Sequence, residues 1–233
     1  MNPIKKMSGL ITKVTDLSPT AREYVIKPSE LMPFTAGSFV NLFVEHSGEK
    51  IRRAFSMSSA DTNPDEFAIT IRLSPNGKLT PLLWAEDYVG REIELMGPLG
   101  LNTADKMTAS KTFLFGFGVG AGVVKSLAEN LGARDNLNSL TIVTGNRSTE
   151  EILHKDFFDS LSETNEKVSV KYVVSDNSQT IYPIGHIQDH LTEYDFSNSD
   201  VYMCGQGVAC DALEKTISST NPTNCNFFVE DFH

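Results

Sequence analysis

The stretch "RRAFSMSS", residues 52–59, places a guanidinium, an aromatic ring and a hydroxyl within four positions, at Arg53, Phe55 and Ser56. On an extended strand Arg53 and Phe55 share one face while Ser56 points to the other. Further along, "NGKLTPLLW" opens a short helix at Gly77, Lys78, Leu79 and Thr80, whose amides form a potential phosphate cradle. A third stretch, "KTFLFGFGVGAGVVKSLAENL", carries glycines at 116, 118, 120 and 122 where an apolar run gives way to a helical one. Glycine costs entropy in a regular element, so this turn is one that something packs against closely. Gly116, Gly118 and Ala121 satisfy the GxGxxA form of a dinucleotide pyrophosphate turn. The acid that usually holds the ribose hydroxyls at the end of the next strand is missing, because "TIVTGNRS" offers Asn146, Arg147 and Ser148 instead. An arginine there accepts a 2′-phosphate bidentately, which leans toward NADPH over NADH. Two anion sites in one chain point to two nucleotides.

The elements that must position these groups change rhythm midway. "GLITKVTDL", "REYVIKP", "SFVNLFVEH", "EFAITIRL" and "REIELMGP" are rich in β-branched and aromatic residues and are punctuated by Pro, Gly, Asn and Asp, which predicts short strands in a small antiparallel barrel. One helix, "TPLLWAEDYVG", is expected between them. After the connector "LNTADKMTASK" the pattern becomes strand then helix: "TFLFGF" before residues 121–131, "SLTIVTG" before "TEEILHKDFFDSLSE", "VSVKYVVS" before "GHIQDHLTEY", and "DVYMCG" before "ACDALEKTISS", with "NFFVE" closing. That alternation predicts a parallel sheet with helices on both faces. Right-handed crossovers then align the strand C-termini, including Gly116 to Gly120 and Cys204 to Gly205, along the edge where open parallel sheets bind ligands. The expectation is two domains, residues 1–105 and 106–233.

Composition narrows the classes. Of 233 residues, 40% are hydrophobic and 21% charged, which describes a globular chain. The formal charge of -10 argues against nonspecific nucleic-acid binding, although the first 105 residues, with 11 basic and 13 acidic, are near neutral. Lys5, Lys6, Arg22, Lys50 and Arg52 there are candidates for steering an acidic carrier protein. No signal-like or membrane-spanning run is read, so the expected location is the cytoplasm. Cys204, Cys210 and Cys225 lack metal-ligand spacing, and His186 with His190 lacks a third ligand, so no metal is expected.

Taken in order, these motifs resemble the ferredoxin–NADP reductase superfamily over nearly the whole chain. "RAFS" resembles its Arg-x-Tyr-Ser, "GKLT" its Gly-x-x-Ser/Thr, "GPLG" the turn ending its barrel, "FGVGAGVV" its Gly-Thr-Gly-Ile-Ala-Pro, "YMCGQG" its Tyr-x-Cys-Gly-Pro, and "FFVEDFH" its closing Glu-x-aromatic. The resemblance implies a two-domain fold, an antiparallel Greek-key β-barrel for FAD followed by an α/β parallel-sheet domain for NAD(P)H. It implies that Arg53, Ala54, Phe55, Ser56, Gly77, Lys78, Leu79, Thr80 and Phe232 hold FAD. Gly118, Val119, Gly120, Arg147, Ser148, Cys204 and Gly205 would hold the nicotinamide dinucleotide. Ser56 would stand near flavin N5, Cys204 would position the nicotinamide ring, Glu230 would relay a proton, and Phe232 would act as a lid, with His233 beside it. The implied activity is hydride transfer from NADPH or NADH to FAD and onward electron transfer to a ferredoxin or flavodoxin, an oxygenase component or free flavin. An electron-transfer subunit or a nucleotide-sensing module of a larger complex is the other reading. Val119, Val123 and Gln206 depart from the family pattern, all on the nicotinamide side.

Overall fold

The computed structural model describes residues 3–85, 87–176 and 180–232. Six antiparallel strands come first: β1 (Lys5–Ser18), β2 (Ala21–Pro28), β3 (Phe39–His46), β4 (Glu49–Ser56), β5 (Phe67–Arg72) and β6 (Glu92–Leu99). They form one curled sheet in the order β4-β3-β6-β1-β2-β5. Its ends meet where Met57 bridges Ile69 and the Ser58 amide donates to the Ala68 carbonyl at 2.7 Å. Inward-facing Tyr24, Ile26, Leu42, Met57, Ile69 and Leu95 fill the interior. Register shifts in β1 after Ile11 and Asp16 bend that 14-residue strand.

The second half contains α2 (Gly120–Gly132), α3 (Lys155–Thr164) and α4 (Gly207–Ser219) around β7 (Lys111–Phe117), β8 (Ser139–Asn146), β9 (Val168–Val174), β10 (Ser199–Gln206) and β11 (Cys225–Phe232). These five strands are parallel, in the order β11-β10-β7-β8-β9. Strand order therefore reverses between β7 and β10, and the crevice outside their C-terminal ends is where such sheets take ligands.

Three expected helices are shorter than their patterns. α1 spans only Thr80–Ala85, and the stretch from Asp87 onward is not helical. The run 149–163 breaks at His154, whose left-handed backbone (φ 56°) separates a 3-10 turn from α3. "GHIQDHLTEY" makes only the 3-10 turn Ile187–His190, after Gly185 at φ 124°. Apolar spacing there matched one helical turn, which cannot propagate against such dihedrals.

Helix α2 lies between the two sheets. It is apolar nearly all round, as a helix packed on two sides must be. Its strand side covers β7 and β8. On the other side a Cβ on Gly122 would stand 2.8 Å from the Thr70 side chain of β5. The Lys125 ammonium donates to Glu23 at 3.1 Å and the Asn130 amide to Asp61 at 2.9 Å. Beside them His154 Nε2 shares a 2.9 Å hydrogen bond with Thr70 Oγ1. Burial holds the His154 pKa down at about 4, against 6.5 free in water. Glu23 lies 4.0 Å from Nδ1, beyond hydrogen-bond reach, and its oxygen is taken by Lys125, so the ring is neutral in the fold.

This pair of domains should therefore lose stability in mild acid. The unfolded histidine takes up a proton below about 6.5 while the folded one does not until about 4, so stability is full above that window and falls through it. The loss at its acid end is about 3 kcal/mol. His154→Asn, which tolerates the left-handed backbone, should flatten the slope of unfolding free energy between pH 6.5 and pH 4 in urea titrations. An unchanged slope would show that His154 is charged in the fold.

Candidate cofactor and nucleotide site

Strand β4 is an edge strand, and its outer segment presents what the sequence pattern promised. Arg53 and Ala54 are exposed, and Phe55 packs partly on the barrel interior with the rest of its ring uncovered. The Arg53 guanidinium donates to the Arg52 carbonyl at 2.7 Å, leaving most of its donors turned outward. Lys78 bonds both oxygens of Glu49, at 2.8 and 2.9 Å, and the same carboxylate is lowered further by the field of Arg53, so both cations lie on one side of the barrel. Gly77 closes a turn on the Ser74 carbonyl, Thr80 Oγ1 accepts from the Ser74 amide, and Leu79 anchors the turn in the core. Two exposed cations, an open strand edge and a half-covered aromatic face match the donor set a flavin dinucleotide requires.

Ser56, the last residue of β4, crosses the domain boundary. Its Oγ donates to Glu230 Oε1 at 2.8 Å, and the Tyr202 hydroxyl donates to Glu230 Oε2 at 2.5 Å. Glu230 sits on β11 opposite Cys204 of β10, which is opposite Gly116 of β7. Burial raises the Glu230 pKa, and the two hydroxyl donors oppose that rise. Burial also pushes the Cys204 thiol well up, and that side chain has no exposed surface. On the barrel side, Glu230 borders an apolar cavity of about 430 Å³ with Phe39, Pro98, Leu99 and the exposed Ile4 and Leu101.

A second cavity, of about 470 Å³, opens at the switch point. It gathers Gly118, Val119, Arg147 and Phe232 from among the expected residues, together with Gln206 and Arg72. Gly118 has φ 55°, a conformation that favours glycine, and closes the turn by donating to the Gly145 carbonyl at 2.9 Å. Gly120, Ser148, Cys204 and Gly205 flank the cavity in the chain without lining it. The glycine run serves the protein's own packing first: a Cβ on Gly120 would lie 2.1 Å from the Cys204 carbonyl oxygen. Among the described residues, two buried polar atoms of this cavity's lining residues lack partners, Arg72 Nε and Asn146 Oδ1. One orphan donor and one orphan acceptor fit a ligand that offers phosphate oxygens and ribose hydroxyls.

Arg72 was not singled out from sequence. It lies on barrel strand β5, yet its guanidinium approaches Gly118 to within 3.3 Å of where a Cβ would stand. Its Nη2 donates to Glu151 at 3.2 Å, and that carboxylate also accepts from Ser18 and Thr20 of the barrel. The turn bearing Arg147 and Ser148 is thereby tied to the barrel three residues later.

Comparison with known proteins agrees with this architecture. An oxidoreductase FAD-binding domain matches residues 9–103, and an oxidoreductase NAD-binding domain matches residues 114–214. The reductase component of phenol 2-monooxygenase from Pseudomonas sp. (strain CF600) is 28% identical over 241 residues, covering 100% of this chain and 67% of that protein. The reductase component of propane 2-monooxygenase from Rhodococcus jostii is 23% identical, covering 95% of this chain and 63% of that protein. The chain thus spans about two thirds of these relatives, and 33% of a glycine betaine monooxygenase reductase subunit from Pseudomonas aeruginosa. Among solved structures, an Amycolatopsis cytochrome P450 reductase superposes with a TM-score of 0.89 at 21% identity over 98% of this chain and 71% of that one. A ferredoxin NADP+ reductase from Neisseria gonorrhoeae, with bound FAD and NADP, gives 0.83 at 18% identity over 97% and 98%.

With an FAD-binding domain matched on the curled antiparallel sheet and an NAD-binding domain on the parallel sheet, the chain is a two-domain oxidoreductase. The chain belongs to the ferredoxin–NADP reductase superfamily.

Proposed function

We propose that this chain is a cytoplasmic reductase that takes electrons from NADPH through FAD and delivers them to an oxygenase component or a ferredoxin. The observation that carries the reading is the 2.8 Å bond from Ser56 to Glu230, which ties the Arg53–Phe55 strand of residues 1–105 to β11, the strand beside β10 at the switch point of residues 106–233. When bound, FAD supplies the conversion between hydride and single-electron chemistry.

The chain's own groups do the rest. Arg53 and Lys78, with the Leu79 and Thr80 amides, would hold the flavin pyrophosphate, and Phe55 would offer its ring to the cofactor. Ser56 and Glu230 border its reactive edge and hold a proton between them. Phe232 lines the dinucleotide cavity and would serve as the aromatic cover there. Gly118 and Val119 would receive the second pyrophosphate, which Arg72 would meet from the barrel side, while Gly120 lets α2 close on β10 behind them. Cys204, buried beneath the start of α2, would with Gly205 position the nicotinamide from behind the cavity wall. Val119 supplies bulk there where a hydroxyl would supply a donor.

Arg147 is exposed at the rim and would take a 2′-phosphate, with Ser148, whose side chain already bonds Glu150, beside it. Arg147→Ala should weaken NADPH binding about tenfold or more and leave NADH within about twofold. Titration of each nucleotide by flavin perturbation reads both constants, and equal losses would remove the NADPH preference.

For the acceptor, the apolar cavity beside Glu230 is the better guide than charge. Lys5, Lys6, Arg22 and Lys50 are each paired with an acid, so the expected steering patch is largely neutralised. Exposed Ile4 and Leu101 give a partner an apolar rim next to the redox edge. The names of the relatives, reductase components of oxygenases, support an oxygenase component as that partner. Stopped-flow reduction followed by addition of oxygenase components and ferredoxins tests it: reduced protein that none of them reoxidises faster than buffer contradicts the reading.

A further inference from the structure

Tyr202 is fully buried on β10, between β7 and the edge strand β11, yet it carries a hydroxyl. That hydroxyl is spent on Glu230 Oε2, while Glu230 Oε1 accepts from Ser56. We propose that Tyr202 is a positioning residue for Glu230, turning the carboxyl so that its exchangeable proton resides on the oxygen facing Ser56. This rests on the reading that Ser56 and Glu230 border the flavin.

The two carboxyl oxygens are unequal because their donors are. Ser56 is half-buried at the end of an edge strand, and its hydroxyl can reverse, accepting from Oε1 while its own hydrogen turns to the cleft. Tyr202 cannot reverse so easily. A proton on Oε2 would oblige the phenol to accept, and its hydrogen would then face buried surroundings with only the Cys204 sulfur, a weak acceptor, nearby. Exchanging a carboxyl acceptor for a thiol sulfur disfavours that arrangement. The proton therefore stays on Oε1, in line with Ser56.

The groups facing this carboxyl come from two strands. They are the Ser56 hydroxyl on β4, and the Tyr202 phenol and Cys204 thiol on β10. On β11 itself Asp231 turns to the opposite face, beside Gly207. Both hydroxyls stabilise the ionised carboxylate against the burial that raises its pKa.

An infrared titration of the carboxylic carbonyl band in the full chain, assigned by its loss in Glu230→Gln, gives the Glu230 midpoint whether or not the protein turns over. Tyr202→Phe removes a donor to the charged form and should raise that midpoint by about one pH unit. A ring-fluorinated tyrosine placed at 202, a stronger donor of nearly the same shape, should lower it. A packing role alone moves neither. The proposal is overturned if the fluorinated residue leaves the midpoint in place, and that substitution retains the side-chain shape should Tyr202→Phe fail to fold. Flavin bleaching by NADPH is read separately. Midpoints that shift in a protein that does not bleach would sink the reductase reading and keep the role of Tyr202; bleaching with fixed midpoints would do the reverse.

Discussion

Gly120→Ala is expected to lower folding stability by about 3 kcal/mol or more and to abolish measurable binding of either nicotinamide dinucleotide. The added methyl would stand 2.1 Å from the Cys204 carbonyl oxygen and 2.7 Å from its carbon, and neither atom belongs to a flexible side chain. Relief requires α2 and β10 to part. Strand β10 is paired on both sides, with β7 and β11, and cannot retreat. Helix α2 is pressed from behind by the barrel, where Gly122 meets Thr70. Movement of α2 also drags the Gly118 turn and opens the dinucleotide cavity. Gly132→Ala is the control: its methyl meets nothing closer than 3.7 Å, so stability should hold or rise by about 0.5 kcal/mol. Chemical denaturation of both variants decides the matter, and a Gly120→Ala protein as stable as the parent would mean that the two elements slide freely.

Arg53→Ala is expected to weaken FAD binding by about one to two orders of magnitude while leaving the fold intact. Each charge-assisted hydrogen bond to an anion contributes about 1.5–3 kcal/mol, and tenfold in affinity corresponds to about 1.4 kcal/mol. The side chain is exposed, with one hydrogen bond to its neighbour's carbonyl, so truncation removes little that the barrel depends on. Lys78→Ala should cost less, because that ammonium is already shared with both oxygens of Glu49 and is a point charge where Arg53 offers a planar fork. Flavin retained on desalting, and the affinity of the stripped protein for added FAD, measure the difference. Full retention by the Arg53 variant would place the pyrophosphate elsewhere.

Much of this was legible before the structure. Strands with period-two patterns, the glycine turn and the "RAFS" edge are local signals, and each appears where its residue chemistry put it. Pairings across the domain boundary were not legible. Arg72 sits in "FAITIRL", which reads as any barrel strand, and nothing local says that β5 faces α2 across a glycine. Tyr202 was visible in "YMCGQG" as part of a motif, but its bond to Glu230 depends on the parallel register of β10 with β11. The four glycines mark a turn that something packs against closely, without saying whether it is backbone or ligand. Gly120 and Gly122 make room for β10 and for Thr70, so the ligand turn is narrower than the run suggests. Helical spacing at "GHIQDHLTEY" misled because one turn of apolar periodicity, after a positive-φ glycine, is too short to propagate.

The central claim is that a flavin ring held against Phe55 and Ser56 faces the dinucleotide cavity closely enough to be reduced from it. Anaerobic mixing of the purified yellow protein with NADPH, following flavin absorbance in a stopped-flow instrument, tests this most directly. Rapid bleaching with NADPH, slower with NADH at the same concentration, is the predicted result; a flavin that stays oxidised with both nucleotides would contradict the account.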